Sequence, residues 1–321
     1  MTDLVEQLDA GNPRALPRLL SLVERRDPAG LAALAELYPR SGKALVVGIT
    51  GPPGAGKSTL VSAIAKAGRA SGMRVAILAI DPSSPISGGA VLGDRIRMMD
   101  LHDDPGVFIR SVASKGRTGG LAPTAAAMVH CLDAAGFPLI LLETVGAGQD
   151  SIDIDVLART VVVVQAPGFG DGVQAIKAGI LEIGDILVVN KSDLPGAQEV
   201  SRMLRGSIDH AKPGGWEVPV LLTNAATGEG VAELLEAIHA HGAWMVESGQ
   251  LGDRLTTAAR AEVLDGLRDQ LERRLTTATA HALNGVITDV AARRMTPELA
   301  VETMLAALPG LGGAPSDQGG S

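Results

Sequence analysis

The 321-residue sequence predicts an α/β fold, in which a mostly parallel sheet is flanked by helices and further helices extend both ends of the chain. Short apolar runs without polar alternation recur through the middle of the chain, as strands buried on both faces require. Helical stretches separate these runs, which is the alternation that parallel strands need. Apolar residues make up 46% of the chain and aromatic ones 2%, so aliphatic side chains must build the core.

The elements follow in order from these patterns. Helices are expected over 1–40, because apolar residues recur there at helical spacing (Leu16, Leu19, Leu20 and Val23). Seven strands are expected at 44–50, 74–80, 107–112, 138–143, 161–165, 186–190 and 218–222. After Gly228 the pattern is helical, with an apolar stripe of Leu264, Leu267, Leu271 and Leu275 and a helix pair near 281–292 and 297–308.

These patterns divide the chain into four parts. An N-terminal helical extension covers 1–40, and the sheet domain covers 41–248. A C-terminal helical arm covers 249–311, and composition predicts a disordered tail at 312–321.

Charge and cysteine usage argue against several classes of protein. The net charge of −8 disfavours a nucleic-acid binder, which usually carries a basic face. Cys131 is the single cysteine, so neither an intrachain disulfide nor a thiolate metal cluster can form. The N-terminus lacks a signal-peptide pattern, and no stretch reaches the length of a membrane span. We therefore expect a cytoplasmic protein that binds neither nucleic acid nor a membrane.

Residues 51–58, GPPGAGKS, match the phosphate-loop pattern G-x-x-x-x-G-K-[ST] between a predicted strand and a predicted helix. Glycines let successive backbone N–H groups point at phosphate oxygens, and the helix N-terminus adds partial positive charge. Lys57 is expected to reach the β- and γ-phosphates, and the Ser58 hydroxyl to bind Mg²⁺. The predicted nucleotide-binding loop is Gly51, Pro52, Pro53, Gly54, Ala55, Gly56, Lys57, Ser58 and Thr59.

The tetrapeptide NKSD at 190–193 predicts which base is bound, because it stands at the end of a predicted strand. Asp193 can accept hydrogen bonds from guanine N1–H and its exocyclic amine, a donor pair that adenine lacks. Asn190 would brace the loop, and the stem of Lys191 would cover the base. The next strand ends in TNAA, where Asn224 and the backbone N–H of Ala225 are expected to complete the guanine site.

The Mg²⁺ side of the site is predicted from ETVG at 143–146, which has the D-x-x-G spacing of GTPases with Glu in place of Asp. Glu143 can hold Mg²⁺ or its water, and Gly146 can bring its N–H to the γ-phosphate. Asp81 and Asp94 are placed to join the metal's ligands. We therefore predict Mg²⁺ ligands at Ser58, Asp81, Asp94 and Glu143, and catalytic roles for Lys57, Asp94 and Glu143. Arg95 and Arg97 could contact phosphate or form surface ion pairs, and Gln149 is a candidate for positioning water.

Several longer segments resemble one family. They are DPSSP with GDRIRM, ETVGAGQ, PGFGDGVQAIKAGILEIGDILVVNKSD and HGAWMVESGQL, and together they are similar to the MeaB/ArgK GTPases associated with methylmalonyl-CoA mutase. The resemblance covers almost the whole chain and implies a P-loop GTPase with N-terminal helices and a C-terminal helical dimerisation arm. It departs from the family pattern at Arg117, Thr118 and 150–159, where Arg159 replaces an expected acid.

The resemblance also implies a function. A protein of this family would bind GTP or GDP with Mg²⁺ and act as a homodimeric chaperone for an adenosylcobalamin-dependent acyl-CoA mutase. It would gate cofactor loading and protect or reactivate the mutase, and its own GTP hydrolysis would be slow. The loop 166–177 matches the family's third switch, which implies that Asp171, Gln174 and Lys177 face the partner.

Other classes of function remain open from the sequence. A metallochaperone GTPase of another metalloenzyme would share the fold, although Cys131 has only His130 beside it. A transport-associated kinase of the ArgK type is a second alternative, but no substrate-base motif of a protein kinase is visible. A structural dimer without hydrolysis is disfavoured by Lys57, Ser58, Asp94 and Glu143.

Overall fold

The structure is a computed structural model that describes residues 4–82, 99–114, 123–144, 154–168, 180–208, 215–278 and 280–307. The chain divides into two compact units, residues 1–261 and 262–321. No helix among these described residues is long and apolar enough to cross a membrane.

The first unit contains a seven-stranded sheet. Its strands are β1 (Leu45–Thr50), β2 (Val75–Pro82), β3 (Val107–Ser114), β4 (Leu139–Thr144), β5 (Thr160–Gln165), β6 (Ile186–Asn190) and β7 (Val220–Thr223). All neighbouring strands pair in parallel, in the order β3-β2-β4-β1-β5-β6-β7. The predicted α/β class is confirmed, and all seven predicted strands are present with ends shifted by at most two residues.

Twelve helices are described. They are α1 (Leu4–Asp9), α2 (Ala15–Glu24), α3 (Pro28–Leu37), α4 (Lys57–Ala70), α5 (Pro123–Ala134), α6 (Ile154–Leu157), α7 (Ile180–Ile183), α8 (Ala197–Ser207), α9 (Val231–Glu247), α10 (Gln250–Ala278), α11 (Ala280–Ala291) and α12 (Pro297–Ala307). The local sequence explains where individual helices begin. The Asp27 carboxylate, for example, accepts a hydrogen bond from the Ala29 N–H at 2.9 Å, and Pro28 occupies the first turn of α3.

Two hydrophobic layers cover the sheet, one on each face. The predicted apolar positions of α2 are buried in the first layer, together with α5 and with alternate strand residues such as Val161 and Val163. Helices α4 and α9 form the second layer with the remaining strand residues, including Val162 and Val164. Because both faces are covered, the strands carry apolar side chains in both directions, and this accounts for the missing polar alternation.

The second unit, taken by itself, includes the end of α10 and the helices α11 and α12. Ala300 and Met304 of α12 are buried, whereas Ile287, Val301 and Leu305 are exposed. An apolar groove of about 480 Å³ runs between these helices. Its lining consists of Leu271, Leu283, Val286, Ile287, Val290, Ala291, Pro297, Ala300, Val301, Met304 and Leu305.

Candidate nucleotide site

The phosphate loop connects β1 to α4, and its glycines are required by its backbone. Gly51, Gly54 and Gly56 have φ angles of 144°, 81° and 90°, which L side chains rarely adopt. A Cβ at Gly51 would overlap the carbonyl oxygen of Val164, and one at Gly56 would overlap the side-chain amide of Asn190. The loop therefore packs against both β5 and the end of β6, which keeps its backbone close to the sheet.

Lys57 is the first residue of α4, and its side chain returns to the loop that precedes it. The Nζ donates hydrogen bonds to the carbonyl oxygens of Gly51 at 2.9 Å and Pro52 at 3.1 Å. The residue is 7% exposed, so these carbonyls compensate part of the cost of burying the ammonium group. The positive charge is thus held at the helix N-terminus, where phosphate oxygens are expected.

The side chains of Ser58 and Glu143 form a hydrogen bond between the start of α4 and the carboxyl end of β4. The Ser58 hydroxyl, in the first turn of α4, donates to Glu143 Oε1 at the end of β4 at 2.5 Å. Glu143 is 1% exposed, while the neighbouring Thr59 is exposed. The arrangement brings together one hydroxyl and one carboxylate oxygen, both of which are donors that Mg²⁺ prefers.

Asn190 ties the phosphate loop to the predicted guanine loop. Its Nδ2 donates to the carbonyl oxygen of Ala55 at 2.9 Å. Its Oδ1 accepts from the Ala225 N–H at 3.0 Å and from the Thr223 hydroxyl at 3.2 Å. Asn190 is buried, so one side chain sets the spacing of the phosphate loop, β6 and the segment after β7. The Ala225 N–H is predicted to contact guanine. To do so, it would have to leave Asn190 Oδ1 or form a bifurcated hydrogen bond with both Asn190 Oδ1 and the base.

Lys191 occupies the left-handed region, with φ of 58°. This conformation is uncommon for a residue with a Cβ, and it turns the chain sharply at the end of β6. The Nζ donates to the carbonyl oxygen of Gly54 at 2.9 Å. A second connection thus joins the phosphate loop to the NKSD segment, beside the one made by Asn190.

Asp193 is exposed, and Asn224 orients it. The Asn224 Nδ2 donates to Asp193 Oδ1 at 2.9 Å. The Asn224 Oδ1 accepts from the Ala226 N–H at 3.1 Å, and the backbone of Asn224 bridges to Glu229. Because the amide is held at its oxygen, its nitrogen points in a defined direction at the carboxylate. In the structure, Asn224 therefore supports Asp193.

Several predicted residues lie partly or wholly outside the described part of the chain. Asp81 is in β2, whose carboxyl end lies beside β4, but its side chain is not among those described. Asp94, Arg95, Arg97, Arg117, Thr118, Gly146, Gln149, Asp171, Gln174 and Lys177 lie outside the described residues. Among the residues that are described, no group of three or more His, Cys, Asp or Glu is arranged to hold a metal ion.

Three polar residues of this region were not singled out from the sequence. Thr223 supports Asn190, as described above. Thr144 donates to the Thr50 hydroxyl at 3.4 Å, and Gln165 is the last residue of β5. The side chains of Thr223, Thr144 and Gln165 are all buried. A polar residue at the end of an apolar strand was the available signal, because the carboxyl ends of parallel strands form the ligand-binding edge.

The Cys131 and His130 pair has structural surroundings. Cys131 is buried in the first layer, and burial raises the pKa of its thiol to about 12. His130 Nδ1 lies 3.5 Å from the Ser41 hydroxyl, and its ring packs edge-on against Tyr38. A thiol that stays protonated is a poor metal ligand.

The parallel sheet, the phosphate loop and the NKSD segment at the same sheet edge define the class of the P-loop GTPases. Within that class, the family model described as methylmalonyl-CoA mutase-associated GTPase MeaB matches residues 16–280. The chain belongs to this family.

Individual relatives agree with this assignment. GTPase ArgK of Escherichia coli is 34% identical over 281 residues, which span 85% of this chain and 84% of that protein. A protein of Pyrococcus horikoshii is 46% identical over 265 residues, covering 81% of this chain and 84% of its own length. The mouse protein named methylmalonic aciduria type A homolog, mitochondrial, is 35% identical over 221 residues, 66% of this chain and 52% of that protein.

A solved structure supports the fold. The crystal structure of the LAO/AO transport system kinase superimposes with a TM-score of 0.70, at 23% identity, over 94% of this chain and 95% of that one. At this level of identity the comparison establishes the fold alone.

Proposed function

We propose that this GTPase prefers guanine to adenine nucleotides, hydrolyses GTP with Mg²⁺, and serves an adenosylcobalamin-dependent acyl-CoA mutase. The observation that carries the nucleotide part is the double role of Asn190, which bonds both to Ala55 of the phosphate loop and to Ala225 beside Asp193. This side chain sets the distance between a phosphate site and a base site. A nucleotide would span that distance, and the acceptor at its base end favours guanine.

The preference for guanine rests on Asp193. Asn224 holds one oxygen of its carboxylate, and the group can accept from guanine N1–H and the exocyclic amine. Adenine offers an acceptor at N1, which would face the carboxylate unfavourably. Lys191 and Asn190 keep the segment in place from the side of the phosphate loop.

The residues present fit Mg²⁺ at the Ser58–Glu143 contact, because both side chains supply oxygen donors at the phosphate end of the loop. Bound there, the ion would neutralise charge on the β- and γ-phosphates. Lys57 would supply a second positive charge in a buried position, and the α4 N-terminus would orient backbone N–H groups toward the oxygens. Asp81 and Asp94 complete the proposed set of ligands.

The partner is inferred from the family. Its description names association with methylmalonyl-CoA mutase, and we extend this to an adenosylcobalamin-dependent acyl-CoA mutase that this protein would meet in the cytoplasm. In this proposal the 166–177 segment, with Asp171, Gln174 and Lys177, communicates the nucleotide state to the mutase. The coupling must be reciprocal: if GTP changes the affinity for the mutase, the mutase changes the affinity for GTP by the same factor.

The test is a GTP hydrolysis assay with candidate mutases from the same organism. We expect the cognate mutase to raise turnover at least about tenfold, which corresponds to about 1.4 kcal/mol of barrier. Lys57→Ala is the matched control, because it should abolish turnover with and without the mutase by leaving phosphate charge uncompensated. If no mutase binds the protein or changes its turnover, the chaperone role is wrong and only the GTPase assignment remains.

We also propose that the protein is a homodimer assembled through the arm at 249–311. The groove of the second unit is lined by apolar side chains, of which Ile287 and Val301 are more than half exposed. Exposed apolar patches of this kind mark interaction surfaces in soluble proteins. A second copy of the same surface is the partner that the chain itself supplies, and a two-fold contact would be self-complementary.

A further inference from the structure

Gln165 is a buried polar residue that the proposed nucleotide chemistry does not use. It is the last residue of β5 and is 3% exposed. Its side-chain nitrogen Nε2 is buried and has no hydrogen-bond partner among the residues that the structure describes. A buried donor without an acceptor destabilises the state in which it occurs, so folded proteins keep few of them.

Strand alternation places Gln165 on a defined face of the sheet. Val161 and Val163 belong to the first layer, and Val162 and Val164 to the second, so Gln165 lies on the face of the first layer. Helix α4 belongs to the second layer. The amide is therefore separated from α4 by the sheet itself.

Two other strand ends contribute polar side chains to the same face. Thr50 of β1 is paired in register with Val163, and Thr144 of β4 donates to the Thr50 hydroxyl. The adjacent strands β4, β1 and β5 thus end in a row of buried polar groups. The two threonines bond to each other, and Gln165 Nε2 is the buried donor of the row that has no described partner.

This row lies next to the proposed triphosphate end of the site. Thr144 follows Glu143, which bonds to Ser58, and Thr50 precedes Gly51. Gly51 packs against the carbonyl of Val164, the residue before Gln165. The base end, at Asn190 on β6, is one strand further along. A structural change at the proposed γ-phosphate position would therefore occur close to Gln165.

We propose that Gln165 is a positioning residue of the GTPase cycle, whose side-chain amide gains an oxygen acceptor when a nucleoside triphosphate fills the phosphate loop and lacks it with the diphosphate. This inference rests on the proposed nucleotide binding. An amide satisfied in only one state favours that state, and the favoured state is the one with GTP. Gln165 would then help to distinguish GTP from GDP without touching either.

The test substitutes Gln165→Met, which keeps an unbranched side chain of similar length and removes the donor. Thermal unfolding is measured without nucleotide, with Mg²⁺ and GDP, and with Mg²⁺ and a non-hydrolysable GTP analogue. We expect an unchanged or higher midpoint without nucleotide, because a buried donor without a partner is removed. We expect an unchanged shift with GDP and loss of most of the extra shift that the GTP analogue gives. Single-turnover hydrolysis should fall about tenfold, the scale of one bond made only with the triphosphate.

Val163→Ala is the matched control, since Val163 is buried on the same strand and the same face. It should lower the midpoint in all three states equally and leave the difference between GTP analogue and GDP unchanged. If Gln165→Met also lowers all three midpoints equally, or leaves the difference intact, the inference is wrong. The GDP shift of the native protein reports nucleotide binding separately, so its absence would instead contradict the proposed nucleotide site.

A second measurement follows the native side chain and does not require a stable Gln165→Met variant. Protein labelled with ¹⁵N-glutamine is compared by NMR in the three nucleotide states, and Gln165→Asn assigns the resonance. A downfield shift and slower exchange of the Gln165 amide protons with the GTP analogue, but not with GDP, is expected. Identical amide signals in the GDP and GTP-analogue states would overturn the proposal.

Discussion

At the scale of single residues, short polar side chains connect the parts of the candidate nucleotide site. Asn190 makes three hydrogen bonds to two segments that are distant in the sequence: one to Ala55 of the phosphate loop, and two to Thr223 and Ala225 at the end of β7. Asn224 in turn orients Asp193. Because each amide uses its donor and its acceptor together, a residue with only one of these functions would lose at least one of these bonds. In the proposed site, the specificity for the base would thus depend on residues beside Asp193 as well as on Asp193 itself.

Asp193→Asn should change the preferred base. The substitution replaces two acceptor oxygens by one acceptor and one donor, so it loses a charged pair to guanine and matches the extra carbonyl of xanthine. We expect GDP affinity to fall by about 2–5 kcal/mol and affinity for xanthosine diphosphate to rise. Calorimetric titration with GDP, ADP and xanthosine diphosphate measures both effects.

Asn224→Ala is the control for this substitution, because it frees the carboxylate without changing its charge. It should weaken GDP binding severalfold and give no gain for xanthosine diphosphate. Equal affinities of the native protein for GTP and ATP would contradict the assignment of Asp193.

Cys131 should make stability depend on alkaline pH. Burial raises the pKa of its thiol from 9.0 to about 12, so the folded state keeps its proton when the unfolded chain has lost it. Between these values the unfolded state binds one proton fewer, and the free energy of unfolding should fall by about 1.4 kcal/mol per pH unit. Below pH 9 the thiol is protonated in both the folded and the unfolded state, so it does not lower the free energy of unfolding there. Urea unfolding of the native protein and Cys131→Ala from pH 8 to 10.5 isolates this slope as the difference between them.

Equal slopes for the two proteins would show that the thiol ionises normally in the folded state. Alkylation offers an independent check at fixed pH. Cys131 should react with iodoacetamide only at the rate at which the folded protein opens.

At the scale of elements, close packing of helices decides which positions tolerate a side chain. Helices α2 and α3 approach each other at Gly30, where an added Cβ would lie 2.7 Å from the backbone carbon of Leu22. This contact brings the N-terminal helices together on the first layer of the sheet. By contrast, Gly206 of α8 has no atom within 4 Å of such a Cβ.

Gly30→Ala and Gly206→Ala should therefore have opposite effects. Gly30→Ala forces α2 and α3 apart, and we expect a loss of about 1–3 kcal/mol in the free energy of unfolding. Gly206→Ala removes backbone freedom from the unfolded chain without a clash, and we expect a gain of about 0.5–1 kcal/mol. Urea unfolding monitored by circular dichroism measures the free energy of unfolding of both variants. Destabilisation by Gly206→Ala would contradict the open space around Gly206.

At the scale of the whole molecule, the two units have different surfaces. The first unit buries large aliphatic clusters on both faces of its sheet. Among its residues with described side chains, the second unit buries Asp269, Ala300 and Met304, and it exposes Ile287, Leu299, Val301 and Leu305. A small helical unit with this much exposed apolar surface gains stability by covering it, which is the physical reason for the proposed dimer.

Ile287→Asp combined with Val301→Asp should shift the protein from dimer to monomer. The substitutions place charge in the centre of the groove, and burying an unpaired carboxylate in an apolar interface is costly. Asn284→Asp is the control, because Asn284 is exposed on α11 outside the groove lining and acquires the same charge. Sedimentation velocity measures the mass at several concentrations. A native protein that remains monomeric at all of them would refute the proposal.

The sequence by itself determined the fold class, the seven strands, the presence of helices at both ends of the chain, and the family. Local chemistry was sufficient for these features: continuous apolar runs indicate strands covered on both faces, and GPPGAGKS needs its glycines because of backbone geometry alone. The position of Lys57, Asn190 and Asp193 at one edge of the sheet also followed, because parallel strands end at one edge.

Only the tertiary structure decided how these residues bond to one another. The positions of Ala55 and Asn190 are 135 residues apart in the chain, and their hydrogen bond depends on the order β1-β5-β6, which no local pattern records. The support of Asp193 by Asn224, the contact of Ser58 with Glu143 and the buried amide of Gln165 likewise depend on strand register and on which face each side chain occupies. Hydrogen bonds act over about 3 Å, so they are settled only when packing has brought distant segments to that distance.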